Sequence, residues 1–121
     1  MKTTIWHNGG CSKSIATMHL LLDKGYDLHV RNYQGTPPTI DELEQVICKL
    51  GITPHELLRV SDVDPEDLDF TLSDSPEVSD QILQLLSKNP RYIQRPIVIY
   101  GNKAKIGRPP EGVLELFQDN E

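Results

Sequence analysis

One cysteine in this chain sits where a thiol can become a nucleophile. In the run His7-Asn8-Gly9-Gly10-Cys11-Ser12-Lys13-Ser14, the two glycines permit a tight turn or a close backbone approach. From Cys11 to Lys24, apolar residues recur at helical spacing, with Ile15, Met18, His19 and Leu22 expected on the buried face. Cys11 therefore stands at a helix N-terminus, which presents unpaired N–H groups and a partial positive charge of about half an electron. Both favour thiolate over thiol. A free cysteine has a pKa of about 8.5, and at helix starts this falls to about 3.5–7.5. The thiolate is the reactive form, so the position supports covalent chemistry. Lys13 adds local positive charge, and Ser14, three residues on, is close enough to offer its hydroxyl to the sulfur. A cysteine that merely packs as a small apolar residue is the competing reading.

The elements that would position Cys11 follow from patterning. Thr3 to Trp6 is short, β-prone and apolar at alternate positions, which reads as a first strand. Gly25 is placed to cap the first helix, and Leu28 to Val30 reads as a second strand. Strand, helix and strand in so short a span form a βαβ unit with parallel strands. Thr36-Pro37-Pro38 then stops the chain. Thr39 with Glu42, and Thr53 with Glu56, match capping boxes that open two helices, the first carrying Leu43, Val46, Ile47 and Leu50 and ended by Gly51. The acidic stretch Val60 to Asp74 reads as loop with one turn of helix. Ser75-Pro76-Glu77 starts another helix, with Val78, Ile82, Leu85 and Leu86 on its buried face, and Asn89-Pro90 stops it. Pro96 to Tyr100 is a buried-looking strand, Gly101-Asn102 a hairpin signal, Lys103 to Ile106 the return strand. Pro109-Pro110-Glu111 opens a last helix carrying Val113, Leu114 and Phe117. The expected architecture is α/β, a mixed sheet of about four strands with flanking helices. A helical insert of about residues 36–90 separates the second and third strands, within one domain spanning 1–121.

Length and composition bound the function. A chain of 121 residues can bury a core without staples. No apolar run approaches a membrane span, and Met1 to His7 does not resemble a secretory signal, so a cytoplasmic protein with no membrane partner is expected. A net charge of -6 argues against general nucleic-acid binding. The two cysteines, Cys11 and Cys48, lack the companions that a zinc site needs, and without export a structural disulfide is not the default. No metal is expected. Cys48, beside Ile47 on a helix, reads as packing or surface.

The string His7 to Ser14 resembles the active-site loop of the glutaredoxin-linked arsenate reductases, which share a thioredoxin-like fold with the Spx-type regulators. The resemblance continues through Tyr33-Gln34-Gly35-Thr36-Pro37-Pro38-Thr39 with Glu42-Leu43, Gly51-Ile52 with Leu57-Leu58-Arg59, Asn89-Pro90 with Gln94-Arg95-Pro96-Ile97-Val98, and Gly107-Arg108-Pro109. It covers nearly the whole chain in the same order. It implies that Cys11 attacks arsenic and forms a covalent adduct. Arg59, Arg95 and Arg108 would bind the oxyanion. His7 would tune the loop and the Cys11 ionisation, Ser14 would help activate the sulfur, and Pro96 would be a cis-proline facing the cysteine, with Asn8 structural beside it. Arginine offers a planar fork of donors suited to such oxyanions and stays charged; a helix N-terminus adds to an anion site. The loop departs from the family pattern at Gly9 and Gly10, where the family usually carries proline and a second residue. Looser preorganisation is the expected consequence.

No cysteine stands at Ser14, so Cys11 has no partner for a local disulfide. Turnover would need an outside thiol, glutathione with glutaredoxin, through a mixed disulfide. No bound cofactor is expected, with glutathione as co-substrate, and the protein is expected to be a monomer. Two alternatives stand beside arsenate reduction. One is an Spx-like, non-enzymatic regulator binding RNA polymerase, which the missing second cysteine disfavours. The other is a family reductase with a different substrate.

Overall fold

The structure, a computed structural model, describes residues 3–117; the ends of the expected 1–121 span lie outside them. The described residues divide into two compact units. One comprises residues up to Gly35 together with those from Arg95 onward, and the other is Thr36–Gln94.

The first unit is built on four strands: β1 (Thr3–Trp6), β2 (Leu28–Arg31), β3 (Ile97–Tyr100) and β4 (Lys103–Ile106), in the order β2-β1-β3-β4. β1 pairs parallel to β2, with Ile5 opposite Val30, and antiparallel to β3, with Ile5 opposite Val98. β3 and β4 form the expected hairpin, turned at Gly101 with φ 64°. Ile5 and Trp6 point to opposite faces, since side chains alternate along a strand, and both are buried. Ile5, Leu21, Val98, Val113 and Leu116 form the core on one face, where the Phe117 ring stacks on Tyr26 with centroids 4.0 Å apart. On the other side, Trp6 stacks against the fully buried Tyr33.

Helix α1 (Ser12–Asp23) buries a different face from the expected one. Ser14, Thr17 and Leu21 are its buried residues, while Ile15 is 37% and Leu22 52% exposed and His19 is exposed. The stripe is displaced by one residue, a rotation of about 100°. The cause is a close backbone approach. A Cβ on Gly107 would lie 2.6 Å from Thr17 Oγ1 and 2.8 Å from Pro96 Cγ. Small side chains therefore fill the inner positions of α1 near its start, and Leu21 alone of this stripe reaches the apolar core. The last helix also differs. Pro110–Phe117 is 3₁₀ and buries Val113 and Leu116, because residues three apart share a face in that helix; Leu114 and Phe117 are only partly buried.

The second unit contains α2 (Ile40–Leu50), α3 (Pro54–Leu57) and α4 (Pro76–Lys88). Both expected capping boxes are present. Thr39 Oγ1 accepts from the Glu42 N–H while Glu42 caps the Thr39 N–H, and Thr53 with Glu56 repeats the arrangement. Gly51 ends α2 in the left-handed conformation, and Ser75 caps α4. α4 buries Ile82, Leu83 and Leu86, so Leu83 replaces the expected Leu85, and Val78 is only partly buried. Between α3 and α4, the acidic stretch holds two 3₁₀ turns, Val60–Asp62 and Pro65–Asp67, and a third, Pro90–Tyr92, follows α4. Leu58 bridges Ile93 in antiparallel fashion, with Gln94 N–H donating to Leu57 O at 2.9 Å.

Candidate active site

Cys11 is the N-cap of α1 and has extended backbone angles. Its carbonyl accepts from the Ile15 N–H at 3.0 Å and its own N–H donates to Asn8 O at 3.0 Å. Asn8 ties the loop at two further points. Its Oδ1 accepts from the Gly10 N–H at 2.9 Å, and its N–H donates to Ser14 Oγ at 3.0 Å. This side-chain turn restrains the glycine pair, and neither Gly9 nor Gly10 adopts a positive φ. The looseness expected of two glycines is thus offset by Asn8.

The thiol is half-buried, and burial is the largest single influence on it, opposing ionisation. The N–H groups of Ser14 and Lys13, and then the Arg95 guanidinium by hydrogen bond and charge, outweigh burial and hold the Cys11 pKa below the ordinary thiol value. As a neutral thiol the side chain makes no regular cap hydrogen bond; the favourable contacts are those that stabilise its anion.

Ser14 acts differently from the sequence expectation. Its hydroxyl is fully buried and lies 2.7 Å from His7 Nδ1 while accepting from Asn8. The serine therefore reaches the sulfur with its backbone N–H, and its hydroxyl braces the loop. His7 likewise bonds Ser14, with its own N–H on Arg31 O at 2.9 Å. Burial lowers the His7 pKa, so the ring is neutral near neutral pH.

Arg95 and Arg108 come together in the first unit. The Arg108 Nε–H donates to Arg95 O at 2.9 Å. The Arg95–Pro96 bond is cis, as is Arg108–Pro109. Gly107 N–H donates to Pro96 O at 2.8 Å. Thr17 is a residue the sequence reading did not single out, and Gly107 entered it only within the Gly107-Arg108-Pro109 string, without a packing role. Arg59 lies in the second unit. Its N–H donates to Tyr92 O at 2.7 Å and its Nε is 3.3 Å from Asp62 Oδ2. Cys48 is exposed. Among the described residues, no cluster of three or more His, Cys, Asp or Glu could hold a metal ion, and no helix is long and apolar enough to cross a membrane.

A thiol at a helix start, shifted toward its anion and within reach of the Arg95 guanidinium, is suited to act as a nucleophile. Comparison with known proteins agrees. The model of the ArsC family matches residues 6–116. The chain belongs to the ArsC family. Among its relatives, the "Arsenate reductase" of Haemophilus influenzae is 38% identical over 118 residues, covering 97% of this chain and all of that protein. The "Uncharacterized protein YfgD" of Escherichia coli is 39% identical over 115 residues, 93% of each chain. In structure, the arsenate reductase from Vibrio cholerae superimposes with a TM-score of 0.84 at 35% identity, covering 95% of this chain and 97% of that one. The mixed sheet with flanking helices in this ArsC chain is the thioredoxin-like arrangement that the sequence resemblance implied.

Proposed function

We propose that this protein reduces arsenate to arsenite through a covalent Cys11–arsenic intermediate, with glutathione and glutaredoxin as reductants. The observation that carries the reading is the Cys11 thiol shifted toward thiolate by the Ser14 and Lys13 N–H groups and Arg95. In the first step, the Cys11 sulfur forms a bond to arsenic(V) and one arsenic–oxygen bond breaks, the oxygen leaving as water after taking up protons. Arg95 and Arg108 hold the oxyanion, and Arg59 takes the oxyanion-binding role that the family resemblance implies for it. In the second step, a glutathione thiolate supplies the reducing electrons, directly on the adduct. Arsenic takes up two electrons and leaves as arsenite, and Cys11 and glutathione are left as a mixed disulfide. In the third, the thiolate of glutaredoxin attacks the glutathione sulfur, and Cys11 departs as thiolate.

His7, Asn8 and Ser14 hold the loop so that the N–H groups at the start of α1 face the sulfur. Pro96, immediately before β3, closes the site. The reducing thiols are those of the cytoplasm, where we place the protein as a monomer.

The test is arsenate reduction with glutathione and glutaredoxin, comparing wild type with Cys11→Ser. Turnover by the wild type and none by the variant is expected. A wild type without activity under these conditions, or a variant that retains it, would contradict the proposal.

A further inference from the structure

Arg59 departs from the other two arginines in how it is held. It follows a four-residue helix and precedes an acidic segment with little regular structure. What fixes that segment is Tyr92. Its ring is fully buried, and its main-chain oxygen accepts the Arg59 N–H at 2.7 Å. Its hydroxyl donates to Asp67 Oδ2 at 2.6 Å and accepts from the Asp64 N–H at 3.3 Å. Arg91 completes the cluster, with Nη2 2.7 Å from Asp64 Oδ2 and 2.9 Å from the Tyr92 hydroxyl. One tyrosine thus holds the backbone of Arg59 at one end and the chain immediately after it at the other. Between these two anchors lies Asp62, the carboxylate that pairs with the Arg59 guanidinium.

We infer that Tyr92 is a positioning residue for Arg59: its hydroxyl clamps the 60–67 segment so that Asp62 holds the Arg59 side chain by Nε and leaves the terminal nitrogens for an oxyanion. The inference rests on Arg59 serving the oxyanion, as proposed above. The Asp67 carboxylate, and then burial, raise the Tyr92 pKa, so the hydroxyl remains a donor throughout the neutral range. A guanidinium with a fixed Nε loses less conformational freedom when it meets a ligand, which is the usual gain from preorganisation.

The experiment is a double-mutant cycle on arsenate KM and kcat with Tyr92→Phe, Arg59→Ala and the double variant, each also assayed for the pH dependence of Cys11 alkylation. Tyr92→Phe keeps the buried ring and removes only the hydroxyl. It is expected to raise the arsenate KM roughly 3–10-fold, the loss expected for one or two net hydrogen bonds. kcat should stay within about twofold and the alkylation profile should not move, because the groups that shift the Cys11 thiol are Ser14, Lys13 and Arg95. In the Arg59→Ala background the hydroxyl should have nothing left to position, so the double variant should match Arg59→Ala alone. Asp67→Asn, which weakens the same hydrogen bond while leaving the core intact, should repeat the KM effect at smaller size. An unchanged KM in Tyr92→Phe, or a full additional loss in the double variant, would overturn the inference while leaving the role of Arg59 standing. If Arg59→Ala itself leaves KM unchanged, the oxyanion role of Arg59 falls, and the inference with it.

Discussion

The two units hold their candidate functional residues in opposite ways. In the sheet-bearing unit, the groups that act on Cys11 are two main-chain N–H groups, those of Ser14 and Lys13, and the guanidinium of Arg95, two residues before β3. Even Arg108 is anchored on a carbonyl, Arg95 O. In the helical unit, Arg59 lies in irregular chain: its N–H donates to Tyr92 O, Asp62 pairs with its guanidinium, and the segment after it is tied through the side chains of Asp64, Asp67 and Tyr92. Backbone groups fixed by helix and sheet suit the nucleophile, whose ionisation changes with small displacements. Side-chain clamps suit a residue that must only present charge. Main-chain N–H groups survive a side-chain substitution, so in the first arrangement Arg95 is the group open to it, whereas the second is open at Asp62, Asp67 and Tyr92 in turn.

The sharpest way to separate the units is to compare Arg95→Ala with Arg59→Ala. Arg95 both touches the sulfur and stands in the anion site, so its loss should weaken oxyanion binding and raise the Cys11 pKa together. Removing a charged hydrogen-bonding group costs about 1.5–3 kcal/mol, or about 10–100-fold in affinity. Arg59→Ala should weaken binding alone and leave the thiol titration in place. Competition by arsenate or sulfate against alkylation, read across pH, gives both quantities. An Arg95→Ala variant with an unmoved thiol pKa would break the distinction.

Next in size is Gly107→Ala. The added methyl would meet Thr17 Oγ1 and the Pro96 ring, both inside normal contact, and neither can rotate away cheaply. A loss of about 1–3 kcal/mol in denaturant unfolding is expected. Stability equal to wild type would show that α1 and Gly107 do not approach as closely as described.

A smaller effect attaches to His7. Burial depresses its folded pKa below the unfolded value. The unfolded chain therefore binds a proton more readily, and the stabilisation present above the unfolded pKa is lost as pH falls through the folded one. His7→Gln should flatten the unfolding free energy over that acidic window, and an unaltered slope would contradict the assignment.

The smallest expected change has the opposite sign. Gly9 has no positive φ, and a Cβ there would meet nothing within 4 Å. Gly9→Ala should stabilise the fold by about 0.4–1 kcal/mol by restricting the unfolded chain, and a destabilised variant would mean that the loop needs the glycine.

Legibility in the sequence also differed between the units, but in the reverse sense. The helices of the second unit were plain because their signals are local: Thr39 with Glu42, Thr53 with Glu56 and Ser75 with Pro76 each act within one turn. What holds Arg59 was not visible, since Tyr92 belongs to no motif and meets the acidic segment only through the fold. In the first unit the placement of Cys11 was readable from Gly9-Gly10 and the helical spacing after it. The buried face of α1 was not. Hydrophobic periodicity favoured Ile15 and Leu22, whereas contact of Thr17 with Gly107, distant in sequence, and of Ser14 with His7 and Asn8 turned the other face inward. The Ser14 hydroxyl was misdirected for the same reason, because proximity in sequence to Cys11 does not reveal His7 and Asn8 on its other side.

The most direct measurement is the rate of iodoacetamide alkylation of Cys11 against pH, in a Cys48→Ser background that leaves one thiol. Half-maximal reactivity at a pH clearly below that of a free cysteine peptide is expected, moving upward in Arg95→Ala. A midpoint at the free-cysteine value would mean that burial prevails over the helix start and the guanidinium, and the nucleophile assigned to this fold would be lost.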